Sequence, residues 1–314
     1  MRALAFGDFG EAPSVIEAPT PEITAPNEVL VAVKAASLNR FDAVVAAGFM
    51  QGMLEHQFPV TLGRDFAGVV EAIGDDVTEF SVGDEVLGMI GNMVLSNGSL
   101  ADHVVVSDQH LAHKPATIGF IEAAALPLAG STALAAVEWV EAGPGKVVLI
   151  VGATGGVGNY AIQLAESRGA TVIATGLADD EETLRGFGAD EIVDFGGDIA
   201  AAVRESHPGG VDGLIDLASD GPTLSALADV VSDGGKVAST LSAADVDAFA
   251  ERNVAATNLA TYPNAETLAK LTGYVVDGTL EIPVRDVYRL DDCADGLGRF
   301  LDGSVRGKMA VSFE

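Results

Sequence analysis

The sequence predicts an α/β protein in two parts, a β-rich domain and a doubly wound parallel sheet. Three observations carry this. The chain has 314 residues, more than one ordinary core accommodates. Before Phe120, short apolar segments such as NEVLVAVKAASLN, GVVEAIG and VGDEVLGMI are punctuated by turns, and GSLADHVVVSD reads as one arm of a hairpin. After it, strand and helix patterns alternate: KVVLIVGA, GGVGNYAIQLAESRGA, TVIATG, DEETLRGFGA, DEIVDF, DIAAAVRESHPGG, VDGLIDLAS, PTLSALADVVSDG and GKVAST. Repeated β-α units with β-branched, continuously apolar strands make a parallel sheet covered on both faces.

Each element follows in order. GFIEAAALPLAGSTALAAVEWVEA has helical spacing around Pro127 and stops at GPG. After Tyr262 one more helix, AETLAKLTGYVVDG, precedes short strands, and RGKMAVSFE ends as an apolar strand able to rejoin the N-terminal sheet. The predicted boundaries are residues 1–121, 122–262 and 263–314, the last returning to the first domain.

Composition narrows the classes. A chain 48% hydrophobic and 20% charged is globular. MRALAFGDFG has no signal-peptide core, and charge, Gly or Pro interrupts every apolar run, so a cytoplasmic protein is expected. The single cysteine, Cys293, excludes an intrachain disulfide framework and a Cys-built zinc site. With 46 acidic against 17 basic residues the net charge is −29, which disfavours nucleic acid and anionic membranes as partners. Self-repulsion at that charge needs salt to screen it, so a saline cytoplasm is expected.

Four glycines crowd into VGATGGVG, Val151 to Gly158. Glycine alone is weak evidence, but here a buried strand precedes the turn and a helix follows, whose first N–H groups and positive dipole end suit a pyrophosphate. In the G-x-G-x-x-G pattern Ala153 takes the first place, while Gly155 and Gly158 hold the others. Gly152, Ala153, Thr154, Gly155, Gly156, Val157 and Gly158 are therefore candidate dinucleotide contacts. The next strand ends at Thr175–Gly176, where NAD-binding folds place an acid on the ribose. The missing carboxylate favours NADPH, with NADH as the second option, because LADDEE follows and the nearest base is Arg185.

SLNRFDAVVAAG, LGRDFAGVVEAIG, VGDEV, AAALPLAGSTALAAV, GATGGVGNYAIQLA, DGLIDLAS and GKMAVSFE together resemble the medium-chain dehydrogenase/reductase superfamily, in its zinc-free quinone oxidoreductase (zeta-crystallin-like) branch. The resemblance spans essentially the whole chain. It implies a GroES-like β-rich catalytic domain, a Rossmann dinucleotide-binding domain, and homodimers. The places where zinc-dependent relatives hold catalytic zinc are Asn39, Arg64–Asp65 and Leu128 here, and an amide, a cation beside a carboxylate, and an alkyl group do not make a tetrahedral zinc site. The histidines His56, His103, His110, His113 and His207 show no ligand spacing beyond the His110–His113 pair. No metal is expected.

The resemblance also implies site residues. Asn39 is a hydrogen bonder to substrate or cofactor, with an N-cap as the alternative. Arg40 is a pyrophosphate partner, and Asp42 orients either group. Thr132, beside Ser131, lies near the nicotinamide or caps a helix. Ser239, Thr240 and Leu241 line the nicotinamide end. Arg64–Asp65 reads more as a buried structural pair or a wall than as an acid–base couple. In GFMQGMLEHQF, Phe49, Met50, Met53, Leu54 and Phe58 suit an apolar substrate ring or plain packing. Phe49 stands where the family often has a tyrosine, so phenol-assisted protonation is not expected.

Without a Lewis acid, hydride transfer needs an acceptor that spreads the incoming charge, which points to quinones and α,β-unsaturated carbonyls. Two alternatives remain: an enoyl-thioester reductase of the same fold, and a dinucleotide-binding sensor with little turnover. A short-chain dehydrogenase is disfavoured, since Leu164, Glu266, Gly278 and Asp292, rather than lysine, follow Tyr160, Tyr262, Tyr274 and Tyr288 four residues on.

Overall fold

The computed structural model describes residues 1–92, 94–262 and 264–313; Glu314, the end of the GKMAVSFE motif, lies outside them. The first part of the chain forms β1 (Arg2–Phe6), β2 (Ser14–Glu17), β3 (Glu28–Leu38), α1 (Arg40–Ala46), β4 (Val60–Thr61), β5 (Asp65–Ile73), β6 (Glu85–Met89), β7 (His103–Ser107), β8 (Leu111–His113) and α2 (Phe120–Ala125). The middle forms α3 (Pro127–Trp139), β9 (Val147–Val151), α4 (Gly156–Ser167), β10 (Thr171–Gly176), α5 (Glu181–Gly186), β11 (Glu191–Asp194), α6 (Ile199–Ser206), β12 (Val211–Asp216), α7 (Gly221–Leu227), β13 (Val231–Ser239), α8 (Val246–Ala250) and β14 (Ala255–Asn258). The last part adds α9 (Ala265–Val276), β15 (Val284–Arg289), α10 (Cys293–Leu301) and β16 (Lys308–Ser312).

Two compact units result. One comprises Met1–Leu128, Tyr262–Val276 and Val284–Glu314; the other comprises Ala129–Thr261 and Asp277–Pro283. The first holds a small sheet ordered β2-β1-β4 and a larger one ordered β15-β16-β3-β5-β6-β8, with β7 also paired to β3. The GSLADHVVVSD arm thus pairs not with a chain neighbour but with β3, from Glu28↔Ser107 to Ala32↔His103. The terminal strand β16 does rejoin this sheet, antiparallel to β3. Its β3 register puts Met309 opposite Leu38 and Ala310 opposite Ser37, so Lys308 falls at the end of β3, beside the turn into α1.

The second unit is the expected doubly wound sheet: six strands in the order β11-β10-β9-β12-β13-β14, all paired in parallel. Leu149, Ile173, Leu214 and Val237 fill its interior. Strand order reverses direction between β9 and β12, the point in such sheets where ligands bind at the carboxyl ends of the strands. Residues 277–283, expected within the C-terminal return, lie with this unit because the buried Gln163 clasps them. Its Nε2 donates to the Glu281 carbonyl at 3.0 Å and its Oε1 accepts from the Glu281 N–H at 2.7 Å. Residues 122–128, expected in the dinucleotide-binding domain, lie with the first unit.

Part of the acidic surplus works at helix starts, where a side-chain oxygen satisfies an otherwise unpaired N–H. Asp198, Asp220 and Asp245 cap α6, α7 and α8 by accepting from Ala201, Thr223 and Ala248. Helix α10 was not expected, since Gly296 and Gly298 weaken its pattern. Gly296 packs closely there: a Cβ would stand 2.7 Å from Leu38 Cδ1, so that side chain would have to shift. Burial of Cys293 and Leu297, one helical turn apart, makes the helix worthwhile. Among the described residues no helix is long and apolar enough to cross a membrane.

Candidate active site

In the second unit, the carboxyl ends of four neighbouring strands assemble a candidate nucleotide cradle. Strand β9 ends at Val151 in register with Asp216 of β12, which is in register with Ser239 of β13, while β10 continues to Gly176. The chain then turns through Gly152, whose φ is +81°, a conformation glycine adopts without strain. Gly152 N–H donates to Thr175 Oγ1 at 3.0 Å, so the predicted cofactor residue Thr175, buried, holds the turn from beneath. Gly155 is the N-cap of α4. A Cβ on Gly158 would lie 2.5 Å from Ala153 Cα, Ala153 O and Gly152 O; helix and turn meet backbone to backbone. Asn159 completes the arrangement by donating from Nδ2 to the Ala153 carbonyl at 2.8 Å. Sequence reasoning missed Asn159 and Gln163, although two polar residues on the buried face of an otherwise apolar helix were a signal.

This cradle fits a dinucleotide's pyrophosphate: the backbone approaches closely, and a helix N-terminus of twelve residues opens on it. At its edge, Asp180 Oδ2 accepts from Leu177 N–H at 2.9 Å, turning that carboxylate back onto its own loop. Arg185 is engaged by Glu181 at 2.8 Å and by the Asp190 carbonyl at 2.8 Å. Gly176 packs closely on the Leu184 side chain, whose Cδ1 would lie 2.5 Å from an added Cβ and would have to shift. Ser239 is fully buried: its Oγ donates to Asp216 at 3.3 Å and accepts from Leu241 and Ala243. Thr240 is half-buried, with its N–H on the Asp216 carbonyl. Burial pushes the Asp216 carboxyl up, against the hydrogen bonds from Ser219 and Ser239. Thr132 and Thr261 share a hydroxyl hydrogen bond of 2.9 Å.

The first unit gathers the other predicted residues around a buried polar cluster. Asn39 caps α1, and its backbone N–H donates to Asp42 Oδ2 at 2.8 Å. Both ends of its carboxamide are already engaged: Nδ2 donates to Asp65 Oδ2 at 2.9 Å, and Oδ1 accepts from Lys308 Nζ at 2.7 Å. Asp65 also accepts from Ser37 Oγ at 2.9 Å and, through Oδ1, from Leu128 N–H at 2.9 Å. Lys308 donates further to the Leu38 carbonyl at 3.2 Å and stands 3.6 Å from Asp65.

One expectation is corrected here. Arg64 and Asp65 do not pair with each other. Asp65 opens β5 and turns inward to Lys308. Arg64 donates to the Ile90 and Asn92 carbonyls at 2.8 and 3.0 Å and lies over the Phe41 ring at 4.5 Å. Lys308, the cation that does pair with Asp65, was missed because nothing local marks a lysine in a terminal strand as buried.

Arg40 is exposed. Phe49 and Met53 are 65% and 73% exposed, so neither is held by packing, whereas Met50 and Leu54 lie against the apolar core of this unit. A small opening of about 20 Å³ lined by Asp42, Thr61 and Arg64 has room for one water.

Burial, then the nearby Asp65 carboxylate, pushes the Asp42 carboxyl up from 3.8 to about 7; the Asn39 N–H and the Arg64 and Lys308 charges oppose this. The folded state therefore keeps a proton that the unfolded chain releases near pH 4. Stability from this group is greatest below pH 4 and is lost as pH rises to about 7. Asp42→Asn should remove that slope. Subtracting the unfolding free energies of variant and parent across this range should reveal a change approaching 4 kcal/mol, and a flat difference would refute the assignment.

Comparison with known proteins agrees with this geometry. Residues 25–116 match the alcohol dehydrogenase GroES-like domain, and residues 156–262 match the zinc-binding dehydrogenase family. A chloroplast envelope quinone oxidoreductase homolog from Arabidopsis thaliana is 30% identical over 99% of this chain and 98% of its own. The chain belongs to the medium-chain dehydrogenase/reductase superfamily, in its quinone oxidoreductase branch. A 2-methylene-furan-3-one reductase from Solanum lycopersicum is 30% identical over 99% of this chain and 79% of its own. The structure of the quinone oxidoreductase from Coxiella burnetii superposes with a TM-score of 0.90 at 29% identity, covering 100% of this chain and 99% of that one.

The second family's description implies zinc, and the residues at the aligned positions do not fit it. The Asn39 amide, an Asp65 carboxylate occupied by three hydrogen-bond donors and the Lys308 ammonium, and the Leu128 N–H offer no tetrahedral set of nitrogen and sulfur ligands. The space among them is filled by the Lys308 ammonium.

Proposed function

We propose that this protein is a zinc-independent reductase that uses NADPH to reduce a quinone or an α,β-unsaturated carbonyl in the cytoplasm, acting as a homodimer. The Gly152–Gly158 turn carries the reading: it lies at the carboxyl ends of a doubly wound sheet and admits no side chain at Gly158. Bound nucleotide supplies a hydride. The chain's own work is to seat the pyrophosphate on Gly155–Gly158 at the start of α4, to offer Thr132, Thr240 and Leu241 to the nicotinamide end and Arg40 to the phosphates, and to present Phe49, Met53 and Arg64 to the acceptor. Asn39 binds the acceptor oxygen, and Asp42 holds α1 and the Asn39 backbone in place. Conjugated acceptors suit this arrangement because they spread the added charge without a metal. The relatives named for quinone and 2-methylene-furan-3-one reduction support the substrate class.

Preference for NADPH is supported by the absence of a carboxylate on the last residues of β10 and by Asp180 folding back onto Leu177. NADH is the second reading, favoured by the engagement of Arg185 with Glu181, which leaves that cation committed. Titrating both nucleotides by fluorescence, then following oxidation with a small benzoquinone, tests this. Turnover with a higher kcat/KM for NADPH is expected, and failure to bind either nucleotide would sink the proposal. An enoyl-thioester reductase would instead turn over a crotonyl thioester faster than the benzoquinone.

The net charge of −29 adds a separate expectation. Raising salt from millimolar to molar should raise Tm by about 5 °C or more, the shift that ~2 kcal/mol produces in domains of this size. An unchanged Tm would contradict adaptation to a saline cytoplasm.

A further inference from the structure

The buried cation at the heart of the first unit has no part in the reading above. Lys308 reaches its place from the last strand, and its side chain is 3% exposed. Its ammonium is nearer to the Asn39 carboxamide oxygen, at 2.7 Å, than to the Asp65 carboxylate, at 3.6 Å. Asp65 spreads its own charge over Ser37, Asn39 and Leu128 as well. A lysine that served only to neutralise Asp65 would sit the other way round.

The two charges also fix which way the carboxamide faces. A flip would set Oδ1 against a carboxylate and the NH₂ group against an ammonium, both repulsive. In the orientation present, one Nδ2 hydrogen is committed to Asp65 and the other is left over. Amide conjugation links the two ends of the group, so an ammonium on Oδ1 withdraws density from Nδ2 and makes that remaining N–H a stronger donor. Charged partners shorten and strengthen hydrogen bonds in this way, and in a water-poor site the effect grows.

We infer that Lys308 is a positioning residue that orients and polarises Asn39, so that the free Nδ2–H of Asn39 stabilises negative charge on the substrate oxygen where metal-dependent relatives use a cation directly. The inference rests on the proposed reduction of a conjugated carbonyl. In that step a hydride from the reduced nicotinamide nucleotide forms a C–H bond at the β-carbon of an enone. The C=C pair shifts, the carbonyl π pair moves onto oxygen, and the resulting enolate takes a proton from water at the α-carbon. Asn39 meets the oxygen while it carries the charge; Lys308 never touches substrate.

The test compares acceptors. Lys308→Met should lower kcat for a small cyclic enone by about tenfold or more, the lower range for weakening one oxyanion donor. A benzoquinone, which delocalises charge over two oxygens, should lose far less. The Kd for NADPH should stay within about twofold, because the nucleotide cradle is untouched. A purely structural role would depress both acceptors equally. Lys308→Met leaves Asp65 uncompensated, so Lys308→Met/Asp65→Asn, which removes both charges, is the companion variant. Equal enone turnover in a folded double variant and the parent would overturn the inference. If neither variant folds, the Asn39 side-chain proton resonances of the unaltered protein decide: a saturated cyclic ketone must shift one Nδ2 proton downfield, and no shift overturns it. Absence of any enone or quinone turnover in the parent is a different result, and it removes the proposed activity itself.

Discussion

Gly158→Ala should abolish nucleotide binding and destabilise the second unit together, whereas Gly155→Ala should weaken binding alone. The contrast follows from what each new methyl would meet. At Gly158 it would stand 2.5 Å from three backbone atoms of Gly152 and Ala153, and backbone cannot swing aside as a flexible side chain can. Either α4 lifts from β9 or the turn opens, at about 1–3 kcal/mol or more for overpacking of this kind. At Gly155 the nearest atom, Gly152 O, is 3.6 Å away, and φ is −78°, so the fold tolerates a methyl. A phosphate lying against Gly155 would not. Fluorescence titration with NADPH should give a Kd raised by about a hundredfold or more for Gly158→Ala, equivalent to ~3 kcal/mol. Thermal unfolding should separate the two variants. Full affinity in a folded Gly155→Ala protein would mean that phosphates are held elsewhere.

Asp65→Ala should be the most destabilising substitution in the first unit. The carboxylate is fully buried and joins four parts of the chain: β3 through Ser37, the turn into α1 through Asn39, the first turn of α3 through Leu128 N–H, and β16 through Lys308. Removing one member of a buried ion pair leaves the other uncompensated and costs about 3–5 kcal/mol. Burial already pushes the Lys308 amine down, with Asp65 the first of the charges that hold it up, so losing Asp65 would drive the lone lysine further toward its neutral form. Urea unfolding should show the loss, and Asp65→Asn, which keeps the shape and some hydrogen bonds, should recover part of it. A change within 0.5 kcal/mol, the ordinary range for inert sites, would show that Asp65 does not organise this cluster.

Much of the fold was legible before the structure. The β-α alternation from KVVLIVGA to GKVAST appears as five of the six parallel strands, and the helical spacing around Pro127 appears as two helices, α2 and α3, with Pro127 the first residue of α3. The strand patterns of the first unit were visible too, but their partners were not. Strand β7 joins β3 across more than seventy residues of chain, a pairing that no local signal encodes. Helix α10 was hidden because two glycines weaken its pattern, one of which, Gly296, packs against Leu38 and Tyr288.

The candidate site divides along the same line. By itself the sequence determined the dinucleotide turn, because backbone freedom at Gly152 and close approach at Gly158 restrict residue choice locally, and each leaves a glycine. It also determined that the aligned metal positions carry an amide, a cation beside a carboxylate, and an alkyl group. Only the tertiary structure decided what those residues do to one another. Asn39, Asp65, Leu128 and Lys308 are spread over 270 positions and meet within hydrogen-bonding reach. Which lysine pairs with which aspartate depends on strand register, and register is settled by the burial of entire sheet faces rather than by any neighbouring residue.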